Sequence, residues 1–189
     1  TTRDELEVDV CEVITGSEPY VFAWIGEHDE RRAEIVPRAA AGVGENYLDE
    51  IAIATDEPAS RCGPTATAVR SGELQAMQDI RNDPDYERWR EQAIERGYES
   101  SAAIPIVHDG ESYGVLNVYA DRPCAFDETE RRLLAELGET TANAIAGIEA
   151  REALQARKEQ YERLTERISD AYYAVDENWR VTYWNDQMA

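Results

Sequence analysis

The chain has 189 residues, with 40 acidic side chains against 19 basic ones and a formal net charge of −21. No basic face exists to neutralise phosphates, so nucleic-acid binding is not expected of it. Apolar runs of only a few residues argue against a membrane-spanning helix, and no basic-then-apolar leader stands at the start.

Lys158 is the only lysine, and the acids are spread along the whole chain. Dispersed acid with almost no lysine predicts adaptation to a high-salt cytoplasm; a mimic of nucleic acid would cluster its acids. Cys11, Cys62 and Cys124 are far apart and show no zinc spacing, so they read as free thiols in a reducing cytoplasm. The start at Thr1 and the stop at Ala189 in mid-pattern predict a piece of a longer protein.

In chain order, Leu6, Val10, Val13 and Ile14 recur at helical spacing before Gly16. Tyr20–Ile25 and Arg32–Ala39 read as a strand hairpin. Residues 45–53 read as a short helix or irregular segment. Pro64 at a first helical position and Ser71-Gly72 bracket another helix, and Glu73–Gln78 follows as a short strand. Asp83-Pro84 opens a helix that Gly97 ends. Ser100–Val107 and Tyr113–Asp121 form a hairpin across Asp109-Gly110, although Pro105 cannot donate to a ladder. Both histidines, His28 and His108, fall in expected exposed turns.

Asp127 is a good N-cap, with Glu130 three residues on and Phe126 as its staple. No proline stands from there to Ile168, which predicts a helix about 60 Å long. Leu137, Thr141, Ala144 and Ile148 follow a heptad-like seam. The seam resumes, one residue short of a heptad, as Leu154, Tyr161, Leu164 and Ile168. The first half is expected to pack on its own domain and the second on a second copy, as a homodimer through the first and last helices, Leu6 and Val10 included. Residues 171–176 and 179–185 then read as strand, turn and strand.

This order resembles the GAF family of regulatory domains over residues 3–150. The most similar stretches are Gly63-Pro64-Thr65 to Glu73, Ala103–Val107, Tyr113–Val118 and Phe126–Glu130. Such sequences often carry a proline where Pro105 stands. The tail, with Val175–Asn178 and Tyr183-Trp184-Asn185, resembles the start of a PAS domain. The resemblance implies an α+β fold, an antiparallel sheet of about five or six strands flanked by helices with a long C-terminal helix. It divides the chain into a sensor domain (1–150), a helical linker (151–168) and a truncated PAS-like start (169–189). It also implies a multi-domain sensor of a salt-loving archaeon, of the histidine-kinase or bacterio-opsin-activator kind.

A GAF-like fold further implies a pocket between the sheet and the helices of residues 45–97. Its expected lining is Trp24, Thr67, Met77, Trp89, Tyr98, Ile104, Asn117 and Tyr119. Asn117 is informative only if it points inward, where it must find a partner. No cofactor or metal is implied. Bilin needs a histidine beside a cysteine, and neither histidine has one. Phe126-Asp127-Glu128 echoes the end of a cyclic-nucleotide set whose Asn-Lys is absent. The expected function is a non-catalytic module that binds a small molecule, dimerises and relays through its last helix. The alternatives are a ligand-free dimerisation spacer and a thiol-based methionine sulfoxide reductase using Cys62 and Cys124.

Overall fold

Side-chain alternation across five strands puts two different cores on the two faces of one sheet. The computed structural model describes residues 1–44, 47–50, 53–55, 63–166 and 173–184. The elements are α1 (Arg3–Thr15), β1 (Tyr20–Asp29), β2 (Glu34–Gly42), α2 (Tyr47–Glu50), α3 (Pro64–Ser71), β3 (Gln75–Met77), a 3₁₀ turn (Pro84–Tyr86), α4 (Arg90–Glu95), β4 (Ser100–His108), β5 (Glu111–Ala120) and α5 (Glu128–Glu166). The antiparallel sheet has the order β2-β1-β5-β4-β3. A separate hairpin joins β6 (Tyr173–Val175) to β7 (Val181–Trp184). Contacts divide the chain into Thr1–Ala146 and Gly147–Ala189. The fold is thus the expected α+β class, with five strands and a long C-terminal helix. Cys62, Ile168 and the expected strand residues 171, 172 and 185 lie outside the described residues.

Several boundaries moved for local reasons. Ala33, at φ 52, closes the first hairpin, so β2 starts at Glu34 rather than Arg32. The helix expected over 83–97 is split, because Trp89 (φ −112, ψ 1) is not helical. Asp109 and Gly110 both have positive φ, the backbone that Asp-Gly favours in a two-residue hairpin loop. His28 lies within β1 and His108 ends β4, so neither occupies the turn expected of it.

The inward face of α1 differs from its apolar pattern. Glu7, Cys11 and Ile14 are buried, Leu6 and Val10 pack half-buried on the domain's own core, and Val13 is exposed. Glu7 is fully buried because two arginines hold it. Arg3 Nε donates to Oε1 and Arg38 Nε to Oε2, each at 2.8 Å. Arg38 also reaches Asp4 (2.7 Å) and Glu27 (3.1 Å), and Arg3 donates to the Tyr113 carbonyl (2.8 Å). The cluster ties α1 to β1, β2 and β5.

Asp127 caps α5 as expected, accepting from the backbone N–H groups of Thr129 (2.8 Å) and Glu130 (2.9 Å). The Glu130 carboxylate does not complete a capping box; it accepts from the Tyr20 hydroxyl. Leu134, Gly138, Thr141, Ala142 and Ile145 are buried, while Leu137, Ala144 and Ile148 of the expected seam are half-buried. At Gly138 the helix runs against β4. A Cβ there would lie 2.7 Å from Ile104 Cγ2 and 2.9 Å from the Pro105 carbonyl oxygen. Alanine gains about 1 kcal/mol of helix propensity over glycine, but backbone has to move to admit it. Gly138→Ala is therefore expected to destabilise by about 1–3 kcal/mol in a urea titration; a stabilised variant would contradict this packing.

In the second unit, Leu154, Tyr161 and Leu164 are 70 %, 61 % and 55 % exposed. The Asp176 carboxylate shapes the β6–β7 turn, accepting from the N–H of Asn178 and of Arg180 at 2.9 Å each. Among the described residues, no helix is long and apolar enough to cross a membrane.

Candidate functional site

The sheet face opposite α1 and α5 carries the site. Cross-strand register aligns Trp24 with Asn117 and Asn117 with Ala103. One pleat along, it aligns Phe22 with Tyr119, Tyr119 with Ser101, and Ser101 with Met77. These residues share a face because each pair is two positions removed from the other. Over them lie Tyr47 of α2, α3, Tyr86 and Trp89, which complete a core rich in aromatic rings.

A small cavity opens between sheet and cover, lined by Tyr47, Ile53, Gly63, Pro64, Thr65, Tyr86, Trp89 and Tyr119. Its free space is about 10 Å³, roughly one water molecule. Gly63 makes the wall thin: a Cβ there would lie 2.5 Å from the Trp89 ring. Thr65 Oγ1 donates to Asn117 Oδ1 at 2.7 Å, joining α3 to the sheet. The rings pack closely, with Tyr98 and Tyr119 centroids 4.7 Å apart and Tyr47 edge-on to Tyr119 at 5.7 Å. Arg96 lies over the Tyr47 ring at 5.3 Å and Arg88 over Trp89 at 5.7 Å, and neither lines the space.

Of the expected lining, Trp89 and Tyr119 line the cavity. Trp24, Met77, Tyr98 and Asn117 sit on the same side, one layer deeper or to the flank; the Tyr98 hydroxyl is committed to the Val43 carbonyl at 2.6 Å. Ile104 is corrected: it faces the other core, against α5, and its neighbour Ala103 takes the pocket side. Thr67 is corrected too. Its hydroxyl bonds back to the Gly63 carbonyl at 3.0 Å, and Thr65, about 200° away around α3, faces the cavity instead. Tyr47, Ile53 and Tyr86 were missed, since short irregular cover segments show no periodicity to read, and Thr65 was missed because the wrong face of the helix was taken as inward.

Burial raises the hydroxyl pKa of Tyr47, Tyr86 and Tyr119, and each of the three feels the others. All three are neutral at physiological pH. Unfolded, they ionise near their ordinary value of 10.0. Above that pH the unfolded state binds fewer protons than the native one, so stability falls as pH rises. Burial, then the Glu7 charge, pushes the Cys11 thiol up to about 12, which adds the same sign from pH 9.0 upward. Burial raises the Tyr20 and Tyr98 hydroxyls as well, and they add to the same fall. Melting temperature is expected to hold to about pH 9 and fall steeply beyond about pH 10. Tyr47→Phe should flatten that fall, and an unchanged slope would contradict the burial of its hydroxyl.

Two further features bear on chemistry. Cys11 is buried and Cys124 exposed. Among the described residues, no group of three or more His, Cys, Asp or Glu side chains is placed to hold a metal.

A five-stranded antiparallel sheet with a helix-covered aromatic pocket on one face and the terminal helices on the other is an architecture that regulatory, sensory domains use. The chain belongs to the GAF domain family, whose model matches residues 1–146. It is similar to the GAF domain region of a protein from Geobacter sulfurreducens (24 % identity, TM-score 0.64, 76 % of this chain and 93 % of that one). It is similar as well to the GAF domain of a phosphoenolpyruvate-protein phosphotransferase from Coxiella burnetii (20 %, 0.64, 80 % and 87 %). A third similar structure is the free methionine-R-sulfoxide reductase of Neisseria meningitidis in complex with its substrate (18 %, 0.62, 78 % and 80 %). No curated protein matches the sequence.

Proposed function

We propose that the chain is a non-catalytic regulatory module that binds a small molecule on the aromatic face of its sheet and relays through α5. The observation that supports it is α5 itself. Its last fully buried residue is Ile145, yet the helix continues to Glu166 with Leu154, Tyr161 and Leu164 exposed. Leu154 and Tyr161 are seven apart and Leu164 follows three later, the spacing of a two-stranded seam. The occupant of that stripe is a second copy of the chain, so that the functional unit is a homodimer. Hairpin β6–β7 opens a following domain of PAS type, in a cytoplasmic sensor adapted to high salt.

A linkage is already built at the start of α5. Gln78, next to Met77 of β3, clamps Phe126 with its side chain. Its Nε2 donates to the Phe126 carbonyl (2.5 Å) and its Oε1 accepts from the Phe126 N–H (3.4 Å). A ligand that favours one arrangement of the pocket would bias the helix through this junction.

Sedimentation of the whole chain tests the pairing. The double variant Leu154→Glu, Leu164→Glu is expected to turn a dimer into a monomer without changing the melting of the first unit. A wild-type chain that stays monomeric at high concentration contradicts the proposal.

Two other readings have an observation behind them. The small free space of the cavity favours a ligand-free dimerisation spacer, filled by its own side chains. The similarity to a sulfoxide reductase favours thiol chemistry, but Cys11 is buried and hard to ionise, which leaves Cys62 and Cys124. Sulfoxide reduction that disappears in Cys62→Ser or Cys124→Ser would establish that reading.

A further inference from the structure

Residues 81–97 leave the sheet after β3 and come back to it before β4. Among the described residues, no member of this segment joins a strand ladder. The backbone bonds described for it are local: Tyr86 donates to Asp83, Trp89 to Tyr86, Ala93 to Trp89 and Gly97 to Ile94, at 3.0–3.2 Å. The neck is narrow. The Ile80 N–H donates to the Glu99 carbonyl at 2.9 Å, and Arg81 Nε donates to the Glu99 carboxylate at 2.7 Å. From inside, the Arg90 guanidinium braces the excursion on the Ile80 and Asp83 carbonyls, at 3.2 and 2.6 Å. Gly97, at φ 78 with open space around its Cα, turns the chain back.

Side chains hold this excursion to the sheet. Tyr86, Trp89 and Ala93 are buried in the aromatic core. The Tyr86 hydroxyl shares hydrogen bonds with the hydroxyls of Tyr47, Tyr119 and Ser101. Both feet stand on the loop that leads into α5. At the entry, the Gln78 carbonyl accepts from the Cys124 N–H at 2.8 Å, and its side chain clamps Phe126. At the exit, Ser100 Oγ donates to the Arg122 carbonyl at 2.7 Å.

We propose that residues 81–97 are a flap, latched by the Tyr86 hydroxyl, whose lifting loosens the start of α5 through the feet at Gln78 and Ser100. Lifting breaks side-chain contacts and no strand ladder, so it costs less than unfolding the sheet. Gly97 absorbs the change of backbone angle at the neck. Tyr86 and Trp89 are two walls of the water-sized cavity, so lifting also widens that space. The inference rests on the relay reading above and names its moving part.

Hydrogen exchange of the whole chain, without ligand, tests it. Amides of residues 81–97 are expected to exchange at least tenfold faster than those of β4 and β5, through openings that low urea barely accelerates. Tyr86→Phe leaves its hydroxyl partners one bond short and is expected to speed flap exchange about tenfold. The first two turns of α5 should speed up with it, while β1 and β5 keep their rates. Gly97→Ala is strained at its positive φ and is expected to give the same pattern from the other end, which serves should Tyr86→Phe fold poorly. The inference is overturned if the flap exchanges no faster than β4 and β5, or if the variants speed the strands as much as the flap. It is equally overturned if the flap speeds up while α5 does not respond. Exchange within one chain needs neither a ligand nor a dimer, so failure of the flap is distinguished from failure of sensing or pairing.

Discussion

Replacing Glu7 with alanine is expected to destabilise the first unit by about 3–5 kcal/mol, the range for removing one partner of a buried ion pair. The carboxylate is fully buried between Arg3 and Arg38. Its loss strands two guanidinium groups and leaves a void where α1 meets the sheet. The effect belongs near the low end of the range, because Arg38 keeps Asp4 and Glu27 and Arg3 keeps the Tyr113 carbonyl. At about 3 kcal/mol the melting temperature would drop by roughly 10 °C for a domain of this size. Glu7→Gln should lose less, since the amide oxygen still accepts from one arginine. Chemical denaturation measures both. A loss under about 1 kcal/mol would mean that the cluster behaves as an exposed surface pair.

Phe126→Ala is expected to cost about 3–5 kcal/mol, as for other buried aromatics cut to alanine. Phe126 is fully buried and stacked on Tyr20, with ring centroids 5.9 Å apart. Gln78 grips its backbone, and the Cys124 N–H donates to the Gln78 carbonyl at 2.8 Å. Gln78→Ala removes only the clamp and should cost about 1–3 kcal/mol. The two variants separate packing from linkage. If Gln78 couples the pocket to α5, its alanine variant keeps ligand binding while the ligand ceases to alter α5, read by hydrogen exchange in the first turns of that helix. An unchanged response would remove Gln78 from the relay.

Strongly patterned elements were legible in the sequence. The β-branched and aromatic run of the first strand, the Asp-Gly hairpin, the Asp127 cap and the unbroken run to Glu166 each rest on short-range rules that tertiary context did not override. The face of α1 was not legible. Glu7 reads as a solvated acid until Arg38, 31 residues on, is folded against it. Ile104 and Ala103 show the limit for the site, since a one-residue change of strand phase exchanges the two cores and neither residue type betrays which face it takes. Thr65 and Tyr47 come from short cover segments whose positions are set by contact with the sheet. Asn117 was the one polar residue whose type demanded a partner if buried, and it proved to be the residue that joins sheet and cover.

Whether α5 pairs with a second copy decides the relay. A nitroxide attached at Gln155→Cys, in a Cys62→Ser, Cys124→Ser background, places one label per chain on the outer side of the Leu154–Tyr161 stripe. Two helices 8–10 Å apart would hold the labels at a single distance of about 20–30 Å by double electron–electron resonance. That narrow distribution is the expected result, and the absence of any dipolar coupling between chains would contradict signalling through a paired helix.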